Sequence, residues 1–563
     1  MSPDAGEAPD LDALVAELGQ GAERWAALSP ASRAGVFAAV HGSIGRVQEE
    51  WAATASRAKG LDPESPLAAE EWMSGPFAAL YAAKALADTY RRISRTGSPI
   101  RPSQLRRAPG GRVAVRVLPT SLQQWVMFHG FHAEVWMPPG IPAETVRATA
   151  GEAARGHHAG GVGLVLGAGN ISAIGPLDVF TELAAANRAT ILKLNPTFAS
   201  LLPVYERALA PLIEFGVLRL LVGDGTLGAR LTAHPGIGHI HITGSGATHD
   251  AIVWGTGEEA ARRRAAGEPK LTTPITSELG GVSPVIIVPG RWSRADLRFQ
   301  AEHVATMRLH NAGHNCIAAQ DLVLSADWAQ KDEFLAELRR VFAELPRREP
   351  WYPGSHARLE RARREHPEAE ELGGRLLVAA PPGDEALGFE YFAPVLAVTE
   401  LPGEGHAFLR AAVDFANDGL LGTLGANLLI DPRTRRALGA DLETELERLR
   451  YGTIAVNAWT SVGFSFPGAT WGGYPGHTLE DVGSGIGVVH NAFLLKAPER
   501  TIVTGPFRPF PRSIAGGEGS LFPKPPWFLT ARSGLETGRR LSRYAARPGW
   551  GRLLATLLAA FRA

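Results

Sequence analysis

Between residues 160 and 290 the chain alternates buried-type strands with helical segments. The order is GVGLVLGAG, a helix around PLDVFTELAAAN, ATILKLNP, a helix around LLPVYERALAPLIEFG, then LRLLVGDG and GHIHITG. Runs of Val, Ile and Leu without polar alternation fit strands covered on both faces, and repeated strand–helix units imply a parallel sheet. Such sheets bind ligands at the carboxyl ends of their strands. Three polar stretches fall there: Gly169–Asn170, Lys193, and Thr243–Gly244–Ser245. Residues 283–475 repeat the pattern (SPVIIVPG, AAQDLVLS, GRLLVAA, APVLAVTEL, LGANLLI, GTIAVNA), which predicts a second α/β domain.

The remaining segments differ in character. Apolar spacings of three and four predict helices over residues 11–95, with Ser29, Pro30 and Ser32 as capping residues at the join. Residues 96–110 read as a loop. VAVRVLP and HAEVWMPP read as short strands of an arm or hairpin. From 490 onward the chain turns irregular and Pro-rich. Residues 527–563 hold seven arginines against Glu536, with Leu553, Leu554, Leu557, Leu558 and Phe561 on one helical face. That pattern fits a helix docked on its own protein or on a partner subunit. It also fits a basic amphipathic helix making peripheral contact with an anionic membrane.

Lys+Arg and Asp+Glu both number 57, so the basic excess of a nucleic-acid binder is missing. The single cysteine excludes an intramolecular disulfide and a multi-thiolate zinc site. Residues 1–20 are acidic and lack a long apolar core, and no apolar run suits a membrane span, so a cytoplasmic protein is expected. At 563 residues the chain exceeds one hydrophobic core.

The lone cysteine, Cys316, sits in HNAGHNCIAAQDLVL, a polar turn between a helical stretch and an apolar strand. A nucleophilic thiol needs such exposure and an electrostatically favourable site. Taken alone, a single cysteine is usually a small buried hydrophobe. Glu278 precedes Gly-Gly and a buried strand; it could serve as a general base or be a solvated loop carboxylate. Asn170, after a buried strand, could stabilise an oxyanion or simply occupy a tight turn. LGAGNISAIG does not complete GxGxxG, because Ser172 takes the third glycine's place. His310 and His314 have metal-helix spacing, but the HExxH glutamate is missing and no metal site is expected. Either histidine could instead pair with Cys316, as in a thiol hydrolase. His234, His239 and His241 read as surface or packing residues flanking a strand.

Together these motifs resemble the aldehyde dehydrogenase superfamily, well over about 160–480 and more weakly over the N-terminal helices. GHNCIA looks like the nucleophile loop, SELGG the general-base motif, and LGAGN the oxyanion Asn. ATILKLNP is similar to the strand whose Lys (here Lys193) holds the adenosine ribose. HITGS resembles the segment beneath the pyrophosphate, with Thr243, Gly244 and Ser245. FEYFAPVLAV gives Glu390 and Phe392 the nicotinamide side; Gly228 and Leu279 join the implied cofactor contacts. FANDGLLGTLGANLL and GTIAVNAWTSVGFSFPGATWGGYPG resemble further catalytic-domain stretches. Eight such motifs in the family's order are far more specific than any one.

The resemblance implies an α/β, aldehyde-dehydrogenase-like fold: two parallel-sheet α/β domains plus a small oligomerisation hairpin arm. Its parts would be 1–110 (helices of the cofactor domain), 111–158 (strand arm), 159–282 (Rossmann-like cofactor domain), 283–475 (catalytic domain) and 476–563 (return to the cofactor domain, oligomerisation strand LLKAPERTIVTG and C-terminal extension). It implies NAD or NADP as cofactor, a small-molecule aldehyde as substrate, and a homodimer or homotetramer. It implies thioester formation on Cys316, an oxyanion held by Asn170, and release by water that Glu278 activates. An acyl-CoA-forming member and a non-catalytic scaffold are the alternatives, and the presence of Glu278 and Cys316 speaks against both. Departures are Ile171–Ser172 after the oxyanion Asn, His314 in place of the frequent Gln, Pro196 in place of the Glu of NAD-preferring members, RWSRADL as an insertion, and a tail longer than usual past 500. Trp125, Trp459, Phe464 and Phe466 are candidate aromatic linings of the substrate tunnel.

Overall fold

The computed structural model describes residues 10–563. Helix Leu11–Ala27 ends at Ala27, and Pro30 opens helix Pro30–Ala58 with Ser29 accepting from the Ser32 N–H. Proline at the first helical position sacrifices no hydrogen bond there, so the join is sharp. These helices and helix Ala78–Thr96 bury Trp25, Phe37, Trp51 and Tyr90 against helix Ile174–Ala186 and the smaller sheet. The Trp25 indole donates to the Leu183 carbonyl at 3.2 Å, so the buried ring keeps its polar atom satisfied.

The strands, in chain order, begin with β1 (Leu105–Ala108), β2 (Arg112–Leu118) and β3 (His132–Trp136). β4 (Val162–Leu166), β5 (Ala189–Leu194), β6 (Leu218–Val222), β7 (His239–Gly244) and β8 (Ile275–Leu279) follow. Next come β9 (Ser283–Ile287), β10 (Ala319–Ser325), β11 (Glu370–Glu371), β12 (Leu376–Ala379) and β13 (Val395–Leu401). β14 (Gly425–Leu429), β15 (Thr453–Val456) and β16 (Arg500–Thr504) complete them.

β4–β8 form a five-stranded parallel sheet in the order β6-β5-β4-β7-β8. The order reverses around β4, which opens a crevice at the strands' carboxyl ends. The other strands form an eleven-stranded sheet, β1-β2-β3-β16-β15-β14-β9-β10-β13-β12-β11. Its centre is parallel. The strands expected as an arm make its antiparallel end, because β16 pairs with β15 on one side and β3 on the other. Val115, Leu118 and Val135 are fully buried there, so within this chain the arm is part of a core. Residues 484–486 return to the smaller sheet: the Ser277 and Leu279 N–H groups donate to the Ile486 and Ser484 carbonyls.

The chain ends in helices Gly534–Ala546 and Trp550–Ala560. The Ser542 hydroxyl donates to Gln48 at 2.8 Å, docking the first on the N-terminal helices. The arginine excess of this segment is partly cancelled on contact: Arg539 pairs with Glu64, Arg543 with Glu49 and Arg540 with Glu536. The apolar face expected on the last helix is split. Leu553 and Ala559 turn inward, whereas Trp550, Leu554, Leu558 and Phe561 are 43–58% exposed. No described helix is long and apolar enough to cross a membrane.

Candidate active site

A cavity of about 1500 Å³ lies at the carboxyl ends of β4, β5, β7 and β8, where the polar stretches fall. Asn170, Lys193, Gly228, Thr243, Gly244, Ser245, Glu278, Leu279, Cys316, Glu390 and Phe392 all line it. Every candidate catalytic and cofactor residue implied by the resemblance therefore reaches one space, although they span 223 positions of the chain (170 to 392).

Cys316 is half-buried, and what it faces is this cavity. The turn before it is strained and fully enclosed, unlike the exposed turn the sequence suggests. Asn311, Ala312 and Gly313 all have positive φ (56°, 53° and 80°), a costly run for residues with a Cβ. A buried polar cluster holds it. The Asn311 N–H donates to Glu70 at 2.9 Å, and the Asn311 amide donates to the Asn170 carbonyl at 3.1 Å. Lys59 donates to the Asn311 side-chain oxygen at 3.2 Å and forms an ion pair with Glu71 at 2.7 Å, both side chains fully buried. Arg348 pairs with Glu70 at 2.6 Å. From the far side, Arg308 donates to the carbonyls of Gly313, Ala319 and Val395 at 2.7, 3.2 and 3.2 Å. The Asn170 amide donates to the His314 carbonyl at 3.0 Å, which fixes it beside the nucleophile loop.

The site's electrostatics are set by burial. Glu278, at the end of β8, is not a solvated loop carboxylate but lies buried, and burial pushes it up to about 7. Hydrogen bonds from the Cys316 thiol and the Trp471 indole, the latter at 3.3 Å, oppose that rise. Burial and then the Glu278 charge raise the Cys316 thiol well above its ordinary value. Glu390 is pushed up to about 8 by burial and by Glu278, with Arg308 and Arg358 opposing. A Cβ on Gly280 would fall 2.1 Å from the Glu390 carboxylate, so only glycine allows that approach. Neither His310 nor His314 hydrogen-bonds the thiol. His310 lies edge-on to Trp459, and His314 packs among Trp351, Tyr352 and Phe392, its pKa driven down to about 2 by burial and neighbouring cations.

The other end of the cavity suits an extended anion. Ser245 caps helix Gly246–Val253, whose first N–H groups face the cavity together with Gly244. Lys193 is half-buried with no ion pair among the described residues, and burial lowers its pKa. Among the described residues no group of three or more His, Cys, Asp or Glu gathers as metal ligands.

Some functional side chains escaped the sequence. Lys59, Glu70, Glu71 and Arg308 sit in ordinary helical patterns, and only their burial reveals them. His239 and His241 lie within β7 rather than flanking it, and both are buried and hydrogen-bonded. Trp125 is 57% exposed and lines no wall near Cys316, whereas Trp459, Phe464 and Phe466 border an apolar cavity beside the thiol.

This is a two-sheet α/β protein with a thiol, a carboxylate and an amide at the mouth of a nucleotide-sized crevice. Over part of its length the chain is similar to aldehyde dehydrogenases. Residues 157–357 match the model of the aldehyde dehydrogenase family. Coniferyl aldehyde dehydrogenase of Pseudomonas sp. strain HR199 is 30% identical over 244 residues, 40% of this chain and 44% of that protein. 3,6-Anhydro-alpha-L-galactose dehydrogenase of Streptomyces coelicolor is 27% identical over 246 residues, 40% and 46% of the two chains. The matches thus span less than half the length of these curated relatives. The fold extends further. Gamma-glutamyl-gamma-aminobutyraldehyde dehydrogenase from Burkholderia cenocepacia aligns over 89% of each chain with a TM-score of 0.58 at 20% identity. A Pseudomonas syringae aldehyde dehydrogenase, solved with NAD+ and octanal, aligns over 88% of each at 0.54 and 18%.

The ion pair beneath Asn311 makes a testable demand. Lys59→Met leaves Glu71 buried without its counter-charge, which costs about 3–5 kcal/mol. Chemical denaturation should show this loss, and the double variant Lys59→Met/Glu71→Leu should recover most of it.

Proposed function

We propose that this chain oxidises an aldehyde to a carboxylic acid, with a nicotinamide dinucleotide as the electron acceptor. One observation carries the proposal: Cys316, Glu278 and Asn170, far apart in the chain, all line one cavity. The larger cavity fits the dinucleotide. Helix Gly246–Val253 offers N–H groups to a pyrophosphate, and Lys193 offers an unpaired cation to a ribose. Glu390 and Phe392 flank the end nearest Cys316. When bound there, the nicotinamide would accept the hydride leaving the substrate carbon.

The residues do the rest. Glu278 takes the thiol proton, and the sulfur attacks the aldehyde carbon. The second N–H of the Asn170 amide and the Cys316 backbone N–H stabilise the oxyanion. Loss of hydride leaves a thioester on Cys316. Glu278 gives up the thiol proton to solvent and then removes a proton from water; the water oxygen bonds to the acyl carbon, and the C–S bond breaks to release the acid and the Cys316 thiolate, which takes the proton back from Glu278. A carboxyl near 7 suits both halves, because it accepts a proton and gives it back near neutrality.

Three results follow. Cys316→Ala should abolish turnover while binding of the dinucleotide, followed by fluorescence titration, persists. Glu278→Gln should retain a single-turnover burst at the nicotinamide absorbance band but lose about 10²–10⁴-fold in steady-state rate; unchanged rates in either variant would reject these roles. Because only ionised Glu278 acts as base, deacylation should rise with pH and reach half its maximum near pH 7. Roughly a tenth of the molecules should be competent at pH 6. A flat profile between pH 6 and 8 in stopped-flow assays would contradict this.

A further inference from the structure

Behind Cys316, on the side away from the dinucleotide crevice, lies a second space of about 110 Å³. Phe77, Phe128, Trp459, Phe464, Phe466 and Trp471 contribute to its walls. No Asp, Glu, Lys or Arg does. It continues into a smaller space of about 70 Å³, and the two share Met73, Phe128, Phe131, Trp527 and Leu541. Most residues around the smaller space come from the stretch between Pro506 and Ala560. The long C-terminal segment is thus the far wall of the space that opens on the nucleophile. Trp527 packs edge-on against Phe131 at 5.5 Å, and Leu541 comes from helix Gly534–Ala546.

We propose that the site takes uncharged aldehydes with an aryl or medium-length alkyl body, and that Trp527 and Leu541 set its size limit. This rests on the catalytic reading above. The inner space is of the order of an engineered apolar cavity of about 150 Å³ that admits benzene. A carboxylate or ammonium there would lose its hydration with no Asp, Glu, Lys or Arg on the inner wall to meet it, Arg508 lining only the smaller space beyond, at a cost exceeding what apolar contact returns. The aldehyde end remains beside Asn170 and Cys316, which line both this space and the dinucleotide crevice.

The test is a panel of octanal, cinnamaldehyde, succinic semialdehyde, 4-aminobutanal and acetaldehyde, with the full chain and each dinucleotide. The two apolar aldehydes should exceed the two charged ones in kcat/KM by about a hundredfold. Leu541→Trp should lower kcat/KM for octanal by about 10- to 200-fold while acetaldehyde turnover stays near wild type. Trp527→Ala should improve octanal relative to cinnamaldehyde. Charged aldehydes matching apolar ones, or Leu541→Trp affecting octanal and acetaldehyde equally, would overturn the size and charge assignment alone. No dinucleotide reduction with any aldehyde would overturn the catalytic reading, and this assignment with it.

A second, independent observation concerns the opposite side of Glu278. Alternate residues of a strand share a face, so His239, His241 and Thr243 of β7 point together. In register on β8, Thr276 lies beside His241 and Glu278 beside Thr243. Helix Ile174–Ala186 lays Asp178 and Glu182, one turn apart, over this face. The result is a buried chain of hydrogen bonds. Thr243 donates to Asp178 at 3.0 Å, and His241 lies 3.3 Å from Thr243 and 2.9 Å from Thr276. Thr276 is 3.4 Å from His239, which is 3.0 Å from Glu182. Glu182 ends at Arg188, 3.2 Å away and partly exposed.

We infer that this chain returns the proton of Glu278 to solvent when substrate and dinucleotide close the crevice. Glu278 passes its proton to Asp178 after a carboxyl rotation or through a bridging water. Each O–H or N–H bond along the chain then shifts one partner outward, and one proton leaves at Glu182; nothing is oxidised or reduced. Asp178 is suited to this end, since burial and the Glu278 charge raise its carboxyl well above the usual carboxylate range. Thr276→Val keeps the shape of β8 but cuts the link between the two histidines. It should leave the single-turnover burst and the KM for dinucleotide unchanged, slow steady-state turnover at least about tenfold, and respond to added imidazole buffer. Wild-type turnover in this variant at every buffer concentration, or equal losses in burst and steady state, would overturn the inference.

Discussion

The buried pair Lys59–Glu71, with Arg348–Glu70 beside it, holds the site in shape. Its charges come from the N-terminal helices, and what they grip is the left-handed run Asn311–Ala312–Gly313. Strained backbone persists only where its surroundings over-determine it. Here a carboxylate, an ammonium and a guanidinium all bond to the same turn or its neighbours, and Arg308 ties the other side to β10 and β13. The Asn170 main-chain carbonyl accepts from the same turn, and its side-chain amide donates to the His314 carbonyl just after it. Helices that look like scaffolding thus determine where a sulfur atom stands.

The second constraint is desolvation. Three ionisable groups share one dry wall, and each is pushed toward its neutral form: Glu278, Glu390 and Cys316. In the reaction proposed above, that thiol is the proton donor and the Glu278 carboxylate its acceptor. The Arg308 and Arg358 charges restrain Glu390 without reaching Cys316 directly, which keeps the two carboxylates distinct.

Much of this was legible in the chain. The strand–helix alternation of 160–290 appears as the five-stranded sheet, and LGAGN and SELGG end at the crevice because parallel sheets place their carboxyl-end loops there, while GHNCIA reaches it from the turn before β10 of the larger sheet. The burial of the turn before Cys316 was not legible, because a polar residue such as Asn311 reads as exposed until partners 241 and 252 positions away supply its bonds. His239 and His241 were misplaced for the same reason: a polar residue inside a strand is explained only by what the neighbouring helix presents. The split face of the last helix shows a further limit. Periodicity finds an apolar surface but not which half of it the rest of the molecule covers.

β16 has a consequence for how the molecule is made. It is the only strand joining β3 to β15, and it lies near residue 500, whereas β3 ends at Trp136. During synthesis at about 5–20 residues per second, β1–β3 must wait roughly twenty to seventy seconds for their partner. Through that interval the β3 edge, with Ala133, Val135 and Trp136, has open backbone groups, the kind of surface that other nascent chains can pair with. The last hundred residues are therefore also what ends the newborn chain's exposure to aggregation.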